Sequence, residues 1–283
     1  MTGDSGTAAL PEIGRTLKIG SVAVNYHDTG DGTPVLLVHG SGPGVTAWAN
    51  WRPVIPTLAE RHRVIAPDMV GFGYTEAPVV RFDLDLWVEQ LVGMLDALGL
   101  DRVHVVGNSF GGAVALNLAA RAPERVRDVV LMGPVGIRFP ITDGLEAVWG
   151  YEPSIPSMGH LVRDVFVADS SAITDDLVEL RYRASVRPGV QERFAALFPA
   201  PRQRWVDALA LPEDELRRLA ARVLVLHGID DRVIPVEASR RLVEILPDAE
   251  LREIERCGHW VQIEHTGRFL DLVQDFFART DGA

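Results

Sequence analysis

The 283-residue chain predicts an α/β protein: a mostly parallel eight-stranded sheet flanked by helices, with an inserted helical lid. Three observations carry this. Short apolar runs alternate with longer segments of helical periodicity, the pattern of parallel strands joined by right-handed crossovers. From the third run onward most are β-branched and apolar on both faces, as strands covered by helices must be. Between Gly133 and Val223 the alternation stops, and helical patterns continue without a strand.

In order, Thr16–Ile19 and Val22–Asp28 read as a hairpin through Gly20-Ser21 that adds antiparallel strands at one edge. Strands follow at Val35–Val38, Arg63–Ala66, Val103–Val106, Val129–Met132, Val223–Leu226 and Glu250–Glu255. Helices are expected at Ala49–Glu60, Leu84–Leu98, Gly111–Arg121, Val236–Ile245 and Thr266–Phe277. The lid covers 138–207, beginning with Pro-rich aromatic sequence around Trp149–Pro156 and closing at Pro199-Ala200-Pro201. It leaves 1–137 and 208–283 as the core.

Hydrophobic residues make up 47% and charged residues 24%, a balance that excludes a mostly disordered chain. Net charge is −11, from 28 basic and 39 acidic residues, which argues against a nucleic-acid partner. No apolar run approaches the ~18 residues of a membrane span, so no membrane partner is expected. Met1–Pro11 lacks the basic and apolar regions of a secretory signal. A cytoplasmic protein is expected. Cys257 is the only cysteine, which excludes an intramolecular disulfide and any multi-cysteine metal site.

Gly107-Asn108-Ser109-Phe110-Gly111 fits G-x-S-x-G and lies directly between a predicted strand and a predicted helix. That junction is where the motif has mechanical meaning, because a sharp turn lifts the serine hydroxyl above the sheet. A serine needs a base, and the base needs an acid to fix its tautomer. In this architecture they follow in the order serine, acid, histidine. After Val223–Leu226 comes His227-Gly228-Ile229-Asp230-Asp231, and after the last strand comes Cys257-Gly258-His259-Trp260. Of eight histidines, His259 has the right position. His39 and His227 sit at strand ends but in the wrong order or too near the acid. Asp231 is preferred to Asp230, which would point to solvent. The end of the sixth strand, Gly133-Pro134-Val135-Gly136, offers no rival acid.

The oxyanion requires fixed donors. The Phe110 N–H, at the helix start, is one. The other comes from the small-residue turn His39-Gly40-Ser41-Gly42-Pro43-Gly44, at Ser41 N–H with Gly42 its neighbour. This turn is no phosphate loop: the glycine spacing is wrong, no Lys-Ser/Thr follows, and Pro43 removes a donor. Ser109 also excludes the aspartate-nucleophile chemistry that haloalkane dehalogenases and epoxide hydrolases use.

Those residues resemble the α/β-hydrolase superfamily. His39–Gly44 with Trp48-Ala49-Asn50-Trp51, Gly107–Gly112, Cys257–Trp260, Ala66–Tyr74 and Phe198–Val206 together resemble its meta-cleavage-product hydrolases. The likeness is to the monocyclic branch, typified by 2-hydroxymuconic semialdehyde hydrolase and the cumene-pathway hydrolase. It implies the α/β-hydrolase fold and hydrolysis of the C5–C6 carbon–carbon bond of a 2-hydroxy-6-oxo-hexa-2,4-dienoate. The products are 2-hydroxypenta-2,4-dienoate and a carboxylic acid, with no metal or organic cofactor and a homo-oligomeric assembly. It further implies that Gly42, Asn50, Asn108, Arg181 and Trp260 meet the substrate. A carboxylesterase or lactonase with the same triad is the alternative.

Arg181 can be read without the likeness. Leu177, Leu180, Arg181 and Ala184 fall on one stripe of a predicted helix capped by Thr174, whereas Arg183 shares a face with Glu179 and Arg187. A guanidinium on an inward stripe either receives a substrate carboxylate or pairs with a structural acid such as Asp176 or Glu179. By residues alone the two stand level. Asn50 equally reads as a helix N-cap, Trp260 as a packing residue and Cys257 as a small buried one. Trp149, Leu197, Phe198 and Val233 are expected around the acyl pocket.

Overall fold

The computed structural model describes residues 10–76 and 81–282, so most of the Met1–Pro11 stretch lies outside the described residues. Eight strands form one sheet: β1 (Arg15–Ile19), β2 (Val22–Thr29), β3 (Thr33–Val38), β4 (His62–Pro67), β5 (Val103–Asn108), β6 (Val126–Met132), β7 (Arg222–Gly228) and β8 (Ala249–Ile254). Their order is β1-β2-β4-β3-β5-β6-β7-β8. The pairs β1–β2 and β2–β4 are antiparallel and every other pair is parallel. The sheet is mostly parallel with one antiparallel edge, as the sequence predicts.

Strand alternation splits the core into two layers. Leu36, Val38, Val103 and Val105 face one set of helices, and Val35, Leu37, Val106 and Val130 face another with Trp51, Phe269 and Phe277. The helices before the sixth strand are α1 (Ala47–Trp51), α2 (Ile55–Leu58), α3 (Leu84–Ala97) and α4 (Phe110–Arg121). Between β6 and β7 lie α5 (Asp143–Trp149), α6 (Ile155–His160), α7 (Asp175–Ser185), α8 (Val190–Leu197), α9 (Gln203–Leu209) and α10 (Glu213–Leu216), with no strand among the described residues. The chain closes through α11 (Val236–Ile245), α12 (Val261–Glu264) and α13 (Thr266–Asp281).

One predicted helix is broken. Ala49–Glu60 is two short helices, α1 and α2, and the first starts earlier because Thr46 caps it, accepting from Ala49 N–H at 3.0 Å. Pro53 explains the break: it has no N–H to offer the carbonyl four residues back, at Ala49. That carbonyl is instead taken by a side chain from α7, as described next.

Candidate active site

At the end of β5 the chain turns sharply into α4 through Ser109, with φ 55° and ψ −114°. Such a backbone costs about 1–3 kcal/mol and persists only when its surroundings fix it. Here Ser109 N–H donates to the Met132 carbonyl at 2.8 Å, and its own carbonyl accepts from Gly112 and Val135 N–H at 2.9 and 3.1 Å. The flanking glycines are steric necessities. A Cβ at Gly107 would lie 2.4 Å from the Gly111 oxygen, and one at Gly111 would lie 2.2 Å from the Val38 oxygen.

The loops after β7 and β8 bring Asp231 and His259 together. His259 Nδ1 lies 2.7 Å from Asp231 Oδ2, both side chains being almost fully buried, and a carboxylate beside Nδ1 places the ring proton there. Asp231 Oδ1 accepts from Val233 and Ile234 N–H at 2.7 and 3.0 Å. Burial alone would raise this carboxyl, but the His259 charge and the hydrogen bonds of His227 and His259 hold it well below the usual range. Asp230, next to it, is exposed.

Two features around this pair were not anticipated. Gly133, at the end of β6, has φ +43°, and a Cβ there would fall 2.8 Å from Asp231 Oδ2 and 3.1 Å from His259 Nδ1. The strand end must be bare for the pair to exist; the absence of any acid from Gly133-Pro134-Val135-Gly136 was the available signal. Phe166 accepts from His259 N–H through its carbonyl at 2.8 Å and stacks on Trp260 at 4.5 Å. Nothing in the sequence marked it.

Ser109 and His259 line one cavity, together with Gly40, Ser41, Gly42, Asn50, Asn108, Arg181 and Trp260. The ring's hydrogen bond runs to Asp231; its relation to Ser109 is this shared wall. Phe110 is buried with its ring edge-on to Trp87, and its N–H is the first of α4, where no intrahelical acceptor exists. Leu145, Val148, Met158, Val162, Phe166 and Val233 supply the apolar lining. Of the residues expected around the acyl pocket, only Val233 lines it. Trp149 and Phe198 stand behind it as a stacked pair at 4.3 Å, with Leu197 buried in the same core.

Asn50 is inside α1, with Thr46 as the cap, so it is no N-cap. Its Oδ1 accepts from Asn108 Nδ2 at 3.1 Å and Gly40 N–H at 3.4 Å. Among the described residues Asn50 Nδ2 and Asn108 Oδ1 are buried without a partner, a donor group beside an acceptor.

Arg181 is carried by α7, capped by Thr174. The inward face of that helix differs from the predicted stripe: Leu180 is 54% exposed, and Val178 and Ser185 are the buried residues flanking Arg181. Arg183 pairs with Glu179 at 2.6 Å, but Arg187 leaves that solvated face to lie 4.1 Å over the Tyr74 ring. Arg181 Nη2 donates to the Ala49 carbonyl at 3.2 Å, the one Pro53 leaves unpaired, and its guanidinium lies 5.4 Å over Trp260. Among the described residues it forms no ion pair. Burial, then the charge of Arg52, lowers it to about 10, so it remains a cation at neutral pH.

The other candidates have structural roles. His39 Nδ1 lies 2.7 Å from the Gly40 carbonyl and its Nε2 accepts from Met69 N–H at 2.9 Å; burial lowers it to about 4. Cys257 is buried, and burial followed by the nearby Glu264 charge pushes its thiol far above its ordinary value. Among the described residues no group of three or more His, Cys, Asp or Glu could hold a metal ion, and no helix is long and apolar enough to cross a membrane.

The alpha/beta hydrolase fold family matches residues 33–266. The chain is 58% identical over 271 residues to the 2-hydroxy-6-oxo-2,4-heptadienoate hydrolase of Pseudomonas putida strain F1, covering 95% of this chain and 98% of that one. It is 54% identical to the 2-hydroxymuconate semialdehyde hydrolase of Pseudomonas sp. strain CF600, covering 96% of each. A solved meta-cleavage product hydrolase from Pseudomonas fluorescens IP01, complexed with acetates, superposes with a TM-score of 0.93 at 51% identity, covering 95% of this chain and 98% of that one.

Proposed function

This chain belongs to the α/β-hydrolase fold family and within it to the meta-cleavage-product hydrolases, and on that premise we propose that it cleaves the C5–C6 bond of a 2-hydroxy-6-oxo-hexa-2,4-dienoate formed in aromatic-compound degradation. The reaction consumes water and yields 2-hydroxypenta-2,4-dienoate and a carboxylic acid. One observation carries the reading: a single cavity is lined by Ser109, by His259 with Asp231 paired behind it, and by the Arg181 cation, which has no carboxylate of its own among the described residues. A buried guanidinium favours a planar anion, and the substrate carboxylate is one.

In this reading the dienol first moves its hydroxyl proton to C5, which makes C5 a CH2 bonded to the C6 ketone and linked through C3=C4 to the C2 ketone. Ser109 Oγ, losing its proton to His259 while Asp231 holds the ring, then adds to the C6 carbonyl, and after C5–C6 breaks a water deprotonated by the same His259 hydrolyses the acyl–serine ester to the carboxylic acid. Ser41 and Phe110 N–H groups take the oxyanion. The electron pair of the breaking bond leaves with C5, delocalised onto the C2 oxygen. Arg181, Asn50, Asn108, Gly42 and Trp260 hold the dienoate end, the unpartnered Asn50 Nδ2 and Asn108 Oδ1 offering a donor and an acceptor. Residues 138–207 form the lid in this proposal. It also takes the protein to be cytoplasmic and a homo-oligomer, the oligomeric state being tested by light scattering on the purified protein.

The deciding experiment mixes the protein with coloured ring-fission products carrying hydrogen, methyl, isopropyl or phenyl at C6. Bleaching at catalytic protein concentration, abolished in Ser109→Ala while binding remains, supports the assignment. Turnover near the wild-type level in Ser109→Ala would remove it.

A further inference from the structure

His227, the next-to-last residue of β7, is wholly buried yet makes three polar contacts. Its Nδ1 is 2.6 Å from Ser239 Oγ on α11, and its Nε2 is 3.0 Å from the Ile234 carbonyl and 3.3 Å from Asp231 Oδ2. Both neighbours of Nε2 are acceptors, a carbonyl and a carboxylate, so the ring proton belongs on Nε2. Nδ1 is then an acceptor, and the Ser239 hydroxyl donates to it. The Nε2–H of His227 thereby faces the oxygen that also receives His259.

From this arrangement we infer that His227 is a positioning residue for the reaction: its Nε2–H, oriented by Ser239, holds Asp231 Oδ2 toward His259 Nδ1. The inference rests on the Ser109–His259–Asp231 reading above. With Val233 and Ile234 N–H on Oδ1, the carboxylate is fixed by donors on both oxygens and has no freedom to swing. The His227 N–H also draws charge from Oδ2, so Asp231 supports a proton on His259 less strongly than an unshared carboxylate would. Removing that N–H loosens Asp231 and concentrates its charge on His259. Other ionisable groups near His227 are Glu253, its register partner on β8, and Arg240 of α11, which pairs with Glu253 at 2.6 Å.

The test follows the acid limb of kcat/KM against pH, which reports the base in the free enzyme. His227→Phe should lower kcat by about ten- to a hundredfold, the range for losing a hydrogen bond to a charged group. Its acid-limb midpoint should rise by about half to one pH unit. His227→Gln, which keeps an N–H donor, should recover most of the rate and return the midpoint toward wild type. Ser239→Ala leaves Asp231 and His259 in place and should shift the midpoint upward by a smaller amount, which keeps the test alive where the Phe variant fails to fold. A wild-type midpoint in both Ser239→Ala and His227→Phe would overturn the inference, as would a wild-type midpoint in Ser239→Ala where the Phe variant does not fold, or a Gln variant no better than Phe. If instead wild type fails to bleach any ring-fission product, the catalytic reading itself has failed.

Discussion

Trp149 donates its indole N–H to Ser41 Oγ over 2.8 Å, a bond from helix α5 to the turn after β3. The indole also stacks on Phe198, so its position is set within the helical stretch between β6 and β7 rather than by the sheet. The turn proposed to supply an oxyanion donor is thus tied to the helices above it. In Trp149→Phe the stacking surface persists and the N–H is lost. Stability should fall by about 1 kcal/mol, and kcat/KM for a dienoate by about fivefold. Stopped-flow bleaching and a urea titration measure the two; an unchanged kcat/KM would show that the bond does not hold the turn.

Substitution of Arg181 tests dienoate hydrolysis against general esterase action. Arg181→Ala should lower kcat/KM for dienoates by about ten- to a hundredfold through loss of charge-assisted hydrogen bonds. For a neutral aryl acetate the rate should stay within about twofold. Equal losses on both substrates would assign the guanidinium to packing against Trp260 instead.

Gly133 can be tested against a matched control. Gly133→Ala places a methyl 2.8 Å from Asp231 Oδ2 at a positive φ, whereas Gly20→Ala has φ +56° with nothing within 4 Å of its added methyl. Both carry the backbone cost of roughly 1 kcal/mol. Only the first should also displace the acid–base pair, lowering kcat by about a hundredfold or more. Thermal melts and rates on both variants check this; similar rates in the two would mean that the pair tolerates the methyl.

His39 makes stability depend on pH. Its folded value of about 4 lies below the ordinary 6.5, so between these pH values the unfolded chain binds the extra proton. Stability from this group is therefore present above pH 6.5 and lost as pH falls toward 4, by about 3 kcal/mol. Buried Asp68 acts oppositely: desolvation raises it to about 6 against three hydrogen-bond donors, so its contribution is lost as pH rises through that value. The two nearly offset each other in the wild type. In His39→Gln only the Asp68 contribution remains, so the wild-type advantage over the variant should shrink by about 3 kcal/mol from pH 6.5 to pH 4. Chemical denaturation at the two pH values measures it, and a pH-independent difference would contradict it.

Sequence by itself determined the sheet and the junction that carries Ser109, because strand period, β-branched runs and the glycines at 107 and 111 are local signals. It also singled out Asp231 and His259 as the acid and base to test, since chain order after β7 and β8 is readable along one dimension. What only the tertiary structure decided depends on atoms that no spacing rule relates. The prediction of Ala49–Glu60 as one helix failed because the helical pattern outweighed Pro53, and the resulting free carbonyl at Ala49 is what Arg181 uses. Leu180 was placed inward because a stripe is drawn from hydrophobicity, whereas the packing rotates α7 to bury Val178 and Ser185. Gly133, Phe166 and His227 owe their places around His259 and Asp231 to strand neighbours and loop crossings, and such contacts exist only once the chain has closed on itself.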